Sequence, residues 1–95
     1  MSNKIVYHND AETEILEAKR WYKAKQVGLE KRFIISVRAT LKYIFDNPLL
    51  FAIKYKTTRV AYLDVFPYGI HYHFNYENAT ITILTILHTS KENNF

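Results

Sequence analysis

The chain has no cysteine, and only two glycines, two prolines, one methionine and one tryptophan among its 95 residues. Without cysteine there is no disulfide framework and no thiolate metal site, and a reducing compartment is the simplest expectation. So little glycine and proline argues against a disordered chain. No apolar run approaches the roughly 20 residues that a membrane-spanning helix needs. The opening Met1-Ser2-Asn3-Lys4 leads directly into strand-like residues, not into the apolar stretch of a signal peptide. These absences point to a soluble protein, expected in the cytoplasm. The length makes residues 1–95 one domain around one core.

Apolar residues supply 48% of the chain and aromatic residues 16%, enough for a core without staples. The formal charge is +4, from 13 basic and 9 acidic residues. Its distribution is uneven. Between Lys19 and Arg59 lie Lys23, Lys25, Lys31, Arg32, Arg38, Lys42, Lys54 and Lys56 as well as Arg20, with only Glu30 and Asp46 as acids. Such clustering favours an anionic partner, either nucleic acid or an acidic peptide. Part of it has a plainer reading, since Lys19 to Lys25 sit where a first helix would end and cations suit that end of the dipole.

Periodicity orders the elements. Lys4 to His8 reads as a short strand. Asn9 and Glu12 have the spacing of a helix-capping pair, and Ala11, Ile15, Ala18 and Tyr22 then draw one apolar stripe. Gly28 is the expected left-handed stop of that helix. A second helix carries Leu29, Phe33, Val37, Leu41 and Ile44 on one face, widened by Ile34 and Phe45, and ends at Asn47-Pro48. The short connection makes the two helices antiparallel neighbours. Leu49 to Ile53 reads as loop with a contact through Phe51, and Lys54 to Val65 as one strand interrupted near Thr57-Thr58. Gly69 to Tyr76 alternates, with Ile70, Tyr72, Phe74 and Tyr76 on one face and His71, His73 and Asn75 on the other. Thr80 to His88 is apolar on both faces, as in a central strand, and Ser90 to Phe95 is a polar tail. The order β-α-α-β-β-β implies an α+β fold: an antiparallel helical hairpin on one face of a small, mainly antiparallel sheet.

Several side chains are candidates for chemistry. Lys54 and Lys56, two apart on a strand, would share a face, either as a phosphate-binding patch or as protection of an edge strand. His71 and His73 form an i, i+2 pair that either exposes polar rings or takes part in acid–base work. They lack the further ligands that zinc requires, so no metal and no cofactor are expected. Trp21 and Tyr22 suggest an aromatic platform, but Tyr22 lies on the buried stripe, whereas Trp21 lies off it.

Three stretches carry a family resemblance: Glu14-Ile15-Leu16-Glu17-Ala18 with Trp21-Tyr22, Val65-Phe66-Pro67-Tyr68-Gly69-Ile70-His71-Tyr72, and Ile83-Leu84-Thr85-Ile86-Leu87-His88-Thr89-Ser90-Lys91. In order and spacing the chain resembles the ParE/RelE superfamily of bacterial toxins from type II toxin–antitoxin (plasmid stabilisation) modules. The first-helix pattern and the Phe66-Pro67-Tyr68 turn are closer to the ParE branch. That resemblance implies a protein that blocks DNA gyrase by binding and is silenced by a cognate antitoxin in a hetero-oligomer. Trp21, Arg59, Lys54, Lys56 and Lys91 would then contact target or antitoxin. The RelE branch implies instead a metal-independent endoribonuclease acting on mRNA at the ribosome. Arg59 and Lys56 would hold its phosphate, with His88 or His73 as acid or base. A third reading is an inactive toxin kept only as the antitoxin's partner. Outside these roles Arg59 would form an ion pair with Asp64 or Glu77, and His88 would bond backbone at the sheet rim. The tail departs from the superfamily, Lys91-Glu92-Asn93-Asn94-Phe95 placing an acid where more positive charge is usual.

Overall fold

Strand β1 (Lys4–Tyr7) precedes two helices, α1 (Asn9–Lys25) and α2 (Leu29–Asp46). The computed structural model describes residues 3–94; Met1, Ser2 and Phe95, the aromatic of the expected tail, lie outside the described residues. Four more strands follow: β2 (Ile53–Tyr55), β3 (Thr58–Tyr62), β4 (Tyr68–Asn75) and β5 (Thr80–His88). A 3-10 turn, Thr89–Asn94, closes the described chain. The sheet order is β1-β5-β4-β3-β2, with β1 parallel to β5 and every other pair antiparallel. The α+β class, the helical hairpin and the mainly antiparallel sheet are therefore as the periodicity implied. No helix among the described residues is long and apolar enough to cross a membrane.

The helix boundaries differ in chemistry from the expectation. His8, not Asn9, caps α1, its ring Nδ1 accepting from the Asp10 N–H at 3.3 Å. Asp10 and Glu12 in the first turn and Lys23 and Lys25 in the last match the helix dipole. Gln26, in extended geometry, ends α1. Gly28 adopts the left-handed conformation (φ +86°), but does so as the N-cap of α2. The chain thus reverses over residues 26–28, and α1 packs against α2 while lying along β5.

The core fills the space between hairpin and sheet. Ala11, Ala18 and Tyr22 of α1 and Phe33, Val37 and Ile44 of α2 are buried, facing Ala61, Ile70, Tyr72, Ile81, Ile83 and Ile86. The Phe66-Pro67-Tyr68 turn has a structural purpose. It inserts two rings between the helices, Phe66 lying 5.0 Å from Tyr22 and 5.4 Å from Phe33, and Tyr68 5.5 Å from Phe33. Edge-to-face contacts of this kind add about 0.5–1.5 kcal/mol each beyond area burial.

β5 owes its two apolar faces to a bulge as well as to its central position. Ile70 pairs with Ile86, but Tyr72 pairs with Ile83 and Phe74 with Ile81. The chain of β5 therefore carries one extra residue at Leu84–Thr85, and its inward-facing positions change parity there. Counting at period two cannot follow such a switch.

The segment expected to be one interrupted strand is two. β2 and β3 form a tight hairpin in which Ile53 pairs with Arg59 and Tyr55 with Thr58. Lys56 sits in the turn at φ +49°, out of the ladder, so it does not share a strand face with Lys54. Gly69 is required by close packing. A Cβ there would lie 2.8 Å from Val60 Cγ1 and 3.3 Å from Glu92 Oε1, so the C-terminal turn approaches the sheet through that gap.

Candidate functional site

The helix-free face of the sheet carries a polar cluster. Val60 pairs with His71, and Tyr62 with Gly69, placing these side chains on the face opposite Tyr72 and Ile70. His71 is completely buried, not exposed as a polar strand face would have it. Its Nδ1 lies 3.0 Å from the Tyr55 hydroxyl, and its Nε2 lies 3.8 Å from Glu92 Oε1. Tyr62 donates its hydroxyl to Glu92 Oε2 at 3.0 Å. The Lys54 ammonium stands 5.6 Å from the Tyr62 ring centre. Burial pushes the His71 imidazole below its ordinary pKa, and the nearby Glu92 carboxylate partly opposes that shift. The Tyr62 phenol is pushed up by burial and by its bond to Glu92. Glu92, the tail's departure in charge, thus ties the tail to the sheet through Tyr62.

Arg59 points the other way. It pairs with Tyr72, whose ring is in the core, so its guanidinium emerges on the helix side of the sheet. There Nη1 donates to the Phe51 carbonyl at 2.7 Å and to the Leu49 carbonyl at 3.5 Å. Neither Asp64 nor Glu77 forms an ion pair with it among the described residues. Arg59 holds the α2–β2 connection. It also borders a notch of about 340 Å³ with His73, Thr57 and Tyr76, where β4 runs past the start of β3.

His88 occupies a third place. It pairs with Tyr68, and the two rings lie 5.2 Å apart in edge geometry. The Ser90 N–H donates to His88 Nδ1 at 3.1 Å, and the Ser90 hydroxyl lies 2.8 Å from the same nitrogen. Nδ1 is therefore the acceptor and Nε2 carries the proton of the neutral ring. The expected backbone bond at the sheet rim is present, with His88 accepting.

Around His88 opens a cleft of about 510 Å³ that also gathers Trp21, Lys91, Glu17 and Tyr68. Trp21 is 54% exposed, stacks edge-on against Tyr22 at 5.1 Å, and carries the Lys25 ammonium 4.7 Å over its ring. Burial raises the Tyr22 and Tyr68 phenols, so both are neutral hydrogen-bonding groups at ordinary pH.

The structure thus joins Trp21, His88 and Lys91 in one cleft and Arg59 and His73 in one notch, with Lys54 on the helix-free face and Lys56 in a hairpin turn. No group of three metal-ligating side chains occurs among the described residues. Sequence reasoning passed over Tyr55 and Tyr62, which complete the polar cluster. It also passed over Ile35 and Tyr43, apolar residues off the buried stripe of α2 that remain 65% and 62% exposed. Their eight-residue separation, with Ala39 midway, was a readable signal of a second helix face.

Comparison with known proteins adds a family. Residues 5–93 match the sequence model described as the ParE toxin of the type II toxin–antitoxin system parDE. The fold is similar to a chain of the chromosomal ParDE system from P. aeruginosa, with TM-score 0.73 and 16% identity over 90% of this chain and 94% of that one. It is also similar to a chain of the RelBE2 toxin–antitoxin complex from Mycobacterium tuberculosis, with TM-score 0.61 and 16% identity over 93% and 99% of the two chains. No curated protein matches the sequence.

Proposed function

We propose, from the premise that this chain belongs to the ParE toxin family of type II toxin–antitoxin systems, that it arrests growth by binding DNA gyrase. On this reading it acts as a single-domain cytoplasmic protein, by occupation of a surface and not by bond cleavage. An antitoxin partner neutralises it in a hetero-oligomer. Trp21 and Lys91 supply the target contacts in the cleft beside His88, where an exposed aromatic ring next to cations suits a protein hot spot.

The observation that supports binding over catalysis is the dispersal of the nuclease candidates. Arg59 is engaged by the Phe51 carbonyl at 2.7 Å, His88 lies in the cleft by α1, and Lys56 is in a turn. Phosphate holders and acid–base groups must converge within hydrogen-bond reach of one scissile bond. The competing reading, a ribosome-dependent nuclease, draws on the notch that Arg59 and His73 share.

Inducible expression in bacteria, with DNA and protein synthesis pulse-labelled separately, tests the choice. An early halt of DNA synthesis, retained by His88→Ala, is expected. An early halt of protein synthesis, lost in a folded His73→Ala, would transfer the protein to the nuclease branch. No growth effect would leave an inactive toxin that serves only as antitoxin partner.

A further inference from the structure

Helix α2 has two apolar faces and its own fold uses one. Phe33, Val37 and Ile44 are buried in the core, whereas Ile35, Ala39 and Tyr43, at steps of four, line an open groove of about 610 Å³. Arg32 stands three residues before Ile35, and Asp46 three residues after Tyr43. The five positions therefore follow at steps of three, four, four and three, a spacing that is the same from either end, with Ala39 at its centre. At 3.6 residues per turn all five fall within about 40° of Ala39 around the helix. All five are exposed. The two ends of this row carry opposite charges.

The far wall of the groove is apolar at both ends of the helix. Leu50 stands beyond the C-terminal end of α2, its N–H donating to the Asn47 carbonyl at 3.0 Å. Val65 flanks the N-terminal half, where Ser36 Oγ donates to the Asp64 carbonyl at 3.3 Å. Val65 is 81% exposed and adopts φ +70°, a conformation that β-branched side chains rarely take. Strain of this sort persists only where its surroundings impose it, and it gathers at binding sites. Arg32 forms no ion pair among the described residues, and Asp46 pairs there only with the exposed Lys42 one turn away, at 3.1 Å. Such a surface pair is weak and easily exchanged.

We infer that this face docks on the same face of a second copy of the chain, α2 running antiparallel to α2 about a two-fold axis at Ala39. In that register Ile35 packs on Tyr43 of the second copy, Ala39 on Ala39, and Arg32 meets Asp46. Each unlike pair forms twice, as a two-fold axis requires. The central alanines let the helix axes approach to about 8 Å. No cation of α2 stands opposite another, since Lys42 faces Ser36, Lys31 faces Asn47 and Arg38 faces Thr40. A parallel pairing would instead set Arg32 against Arg32 and Asp46 against Asp46. The +4 of each copy opposes association, but it is screened beyond about 8 Å at physiological salt. The cleft of Trp21 and Lys91 is lined by other residues, so the dimer presents that cleft twice, whatever it contacts. The inference is independent of the gyrase reading.

The test is sedimentation equilibrium of the purified chain by itself, with the fold of each variant checked by thermal melting. The wild type is expected to dimerise with a Kd on the order of micromolar. Ile35→Glu and Tyr43→Glu, at exposed positions that the fold tolerates, each weaken association on the order of a hundredfold at unchanged melting temperature. Arg32→Asp and Asp46→Arg, each made alone, set like charges against each other and weaken it on the order of tenfold. The double exchange, Arg32→Asp with Asp46→Arg, keeps the net charge of the wild type and regains its association. Leu16→Glu, half-exposed on α1 away from this face, is the control and leaves association unchanged. A wild type that stays monomeric up to about 100 μM overturns the inference and leaves the face to a different protein. A dimer indifferent to Ile35→Glu and Tyr43→Glu uses another surface and overturns it equally. Loss in the single charge variants without recovery in the double exchange overturns the register, and the inference with it.

Discussion

One carboxylate oxygen of Glu14, on α1, accepts hydrogen bonds from both Thr85 Oγ1 at 2.6 Å and the Ile86 N–H at 3.3 Å. The contact joins the first helix to β5 where β5 carries its extra residue, across 71 and 72 positions of sequence. Hydrogen bonds to a charged, partly buried group are among the stronger ones in a fold.

Glu14→Ala should therefore destabilise the protein by about 1–3 kcal/mol, because the Thr85 hydroxyl loses its partner in a half-buried setting. Glu14→Gln keeps an acceptor and should cost less. Urea denaturation of the two variants checks this; equal midpoints for Glu14→Ala and wild type would remove the contact from any structural role.

Tyr72 is buried and donates its hydroxyl to the Pro48 carbonyl at 2.7 Å, and burial pushes its pKa up to about 12. In the unfolded chain a phenol ionises near pH 10. Between those values the unfolded state has lost a proton that the folded state keeps, so stability is full below about pH 10 and falls as pH rises toward 12. Tyr72→Phe should have a flatter alkaline limb and a cost near neutrality of about 1 kcal/mol. Chemical denaturation between about pH 8 and 11 reads both effects.

His71 makes the complementary prediction on the acid side. Its folded pKa lies below the ordinary value of 6.5, with burial the main cause and Glu92 the opposing one. Below about pH 6.5 the unfolded imidazole takes a proton more readily than the folded one, so stability present above that pH is lost as pH falls. Among the described residues, the groups facing the ring include the Tyr55 hydroxyl and the Glu92 carboxylate. His71→Gln should lose less stability between pH 7 and acid than wild type does; identical acid limbs would show that His71 does not contribute.

Arg59 should behave as a structural residue. Arg59→Ala leaves the Phe51 carbonyl without its 2.7 Å donor and is expected to cost about 1–3 kcal/mol. Any loss of toxicity should then track the folded fraction measured by circular dichroism. A fully folded, non-toxic Arg59→Ala protein would assign it a direct role at the target.

Much of the fold was legible because burial repeats with helix and strand period. The stripes of Ala11, Ala18 and Tyr22 and of Phe33, Val37 and Ile44 are the observed core. The β2–β3 hairpin was not legible, since its reversal at Lys56-Thr57 has neither glycine nor proline to mark it. The site was less legible than the fold. A lysine pair two apart looks like one face until Lys56 leaves the ladder, and an alternating histidine looks exposed until residue 92 folds back over it.

What this sequence determined by itself is local and periodic: helix and strand content, the apolar faces, the Phe66-Pro67-Tyr68 turn and the family those residues carry. Only the tertiary structure decided which polar groups meet. Glu14 reaches Thr85, Glu92 reaches Tyr62, and Arg59 and His88 open into different pockets, because strand order and a bulge in β5 set where each side chain emerges. Periodicity records which side of an element is apolar. Contacts between residues tens of positions apart depend on strand order and register, which no local pattern encodes.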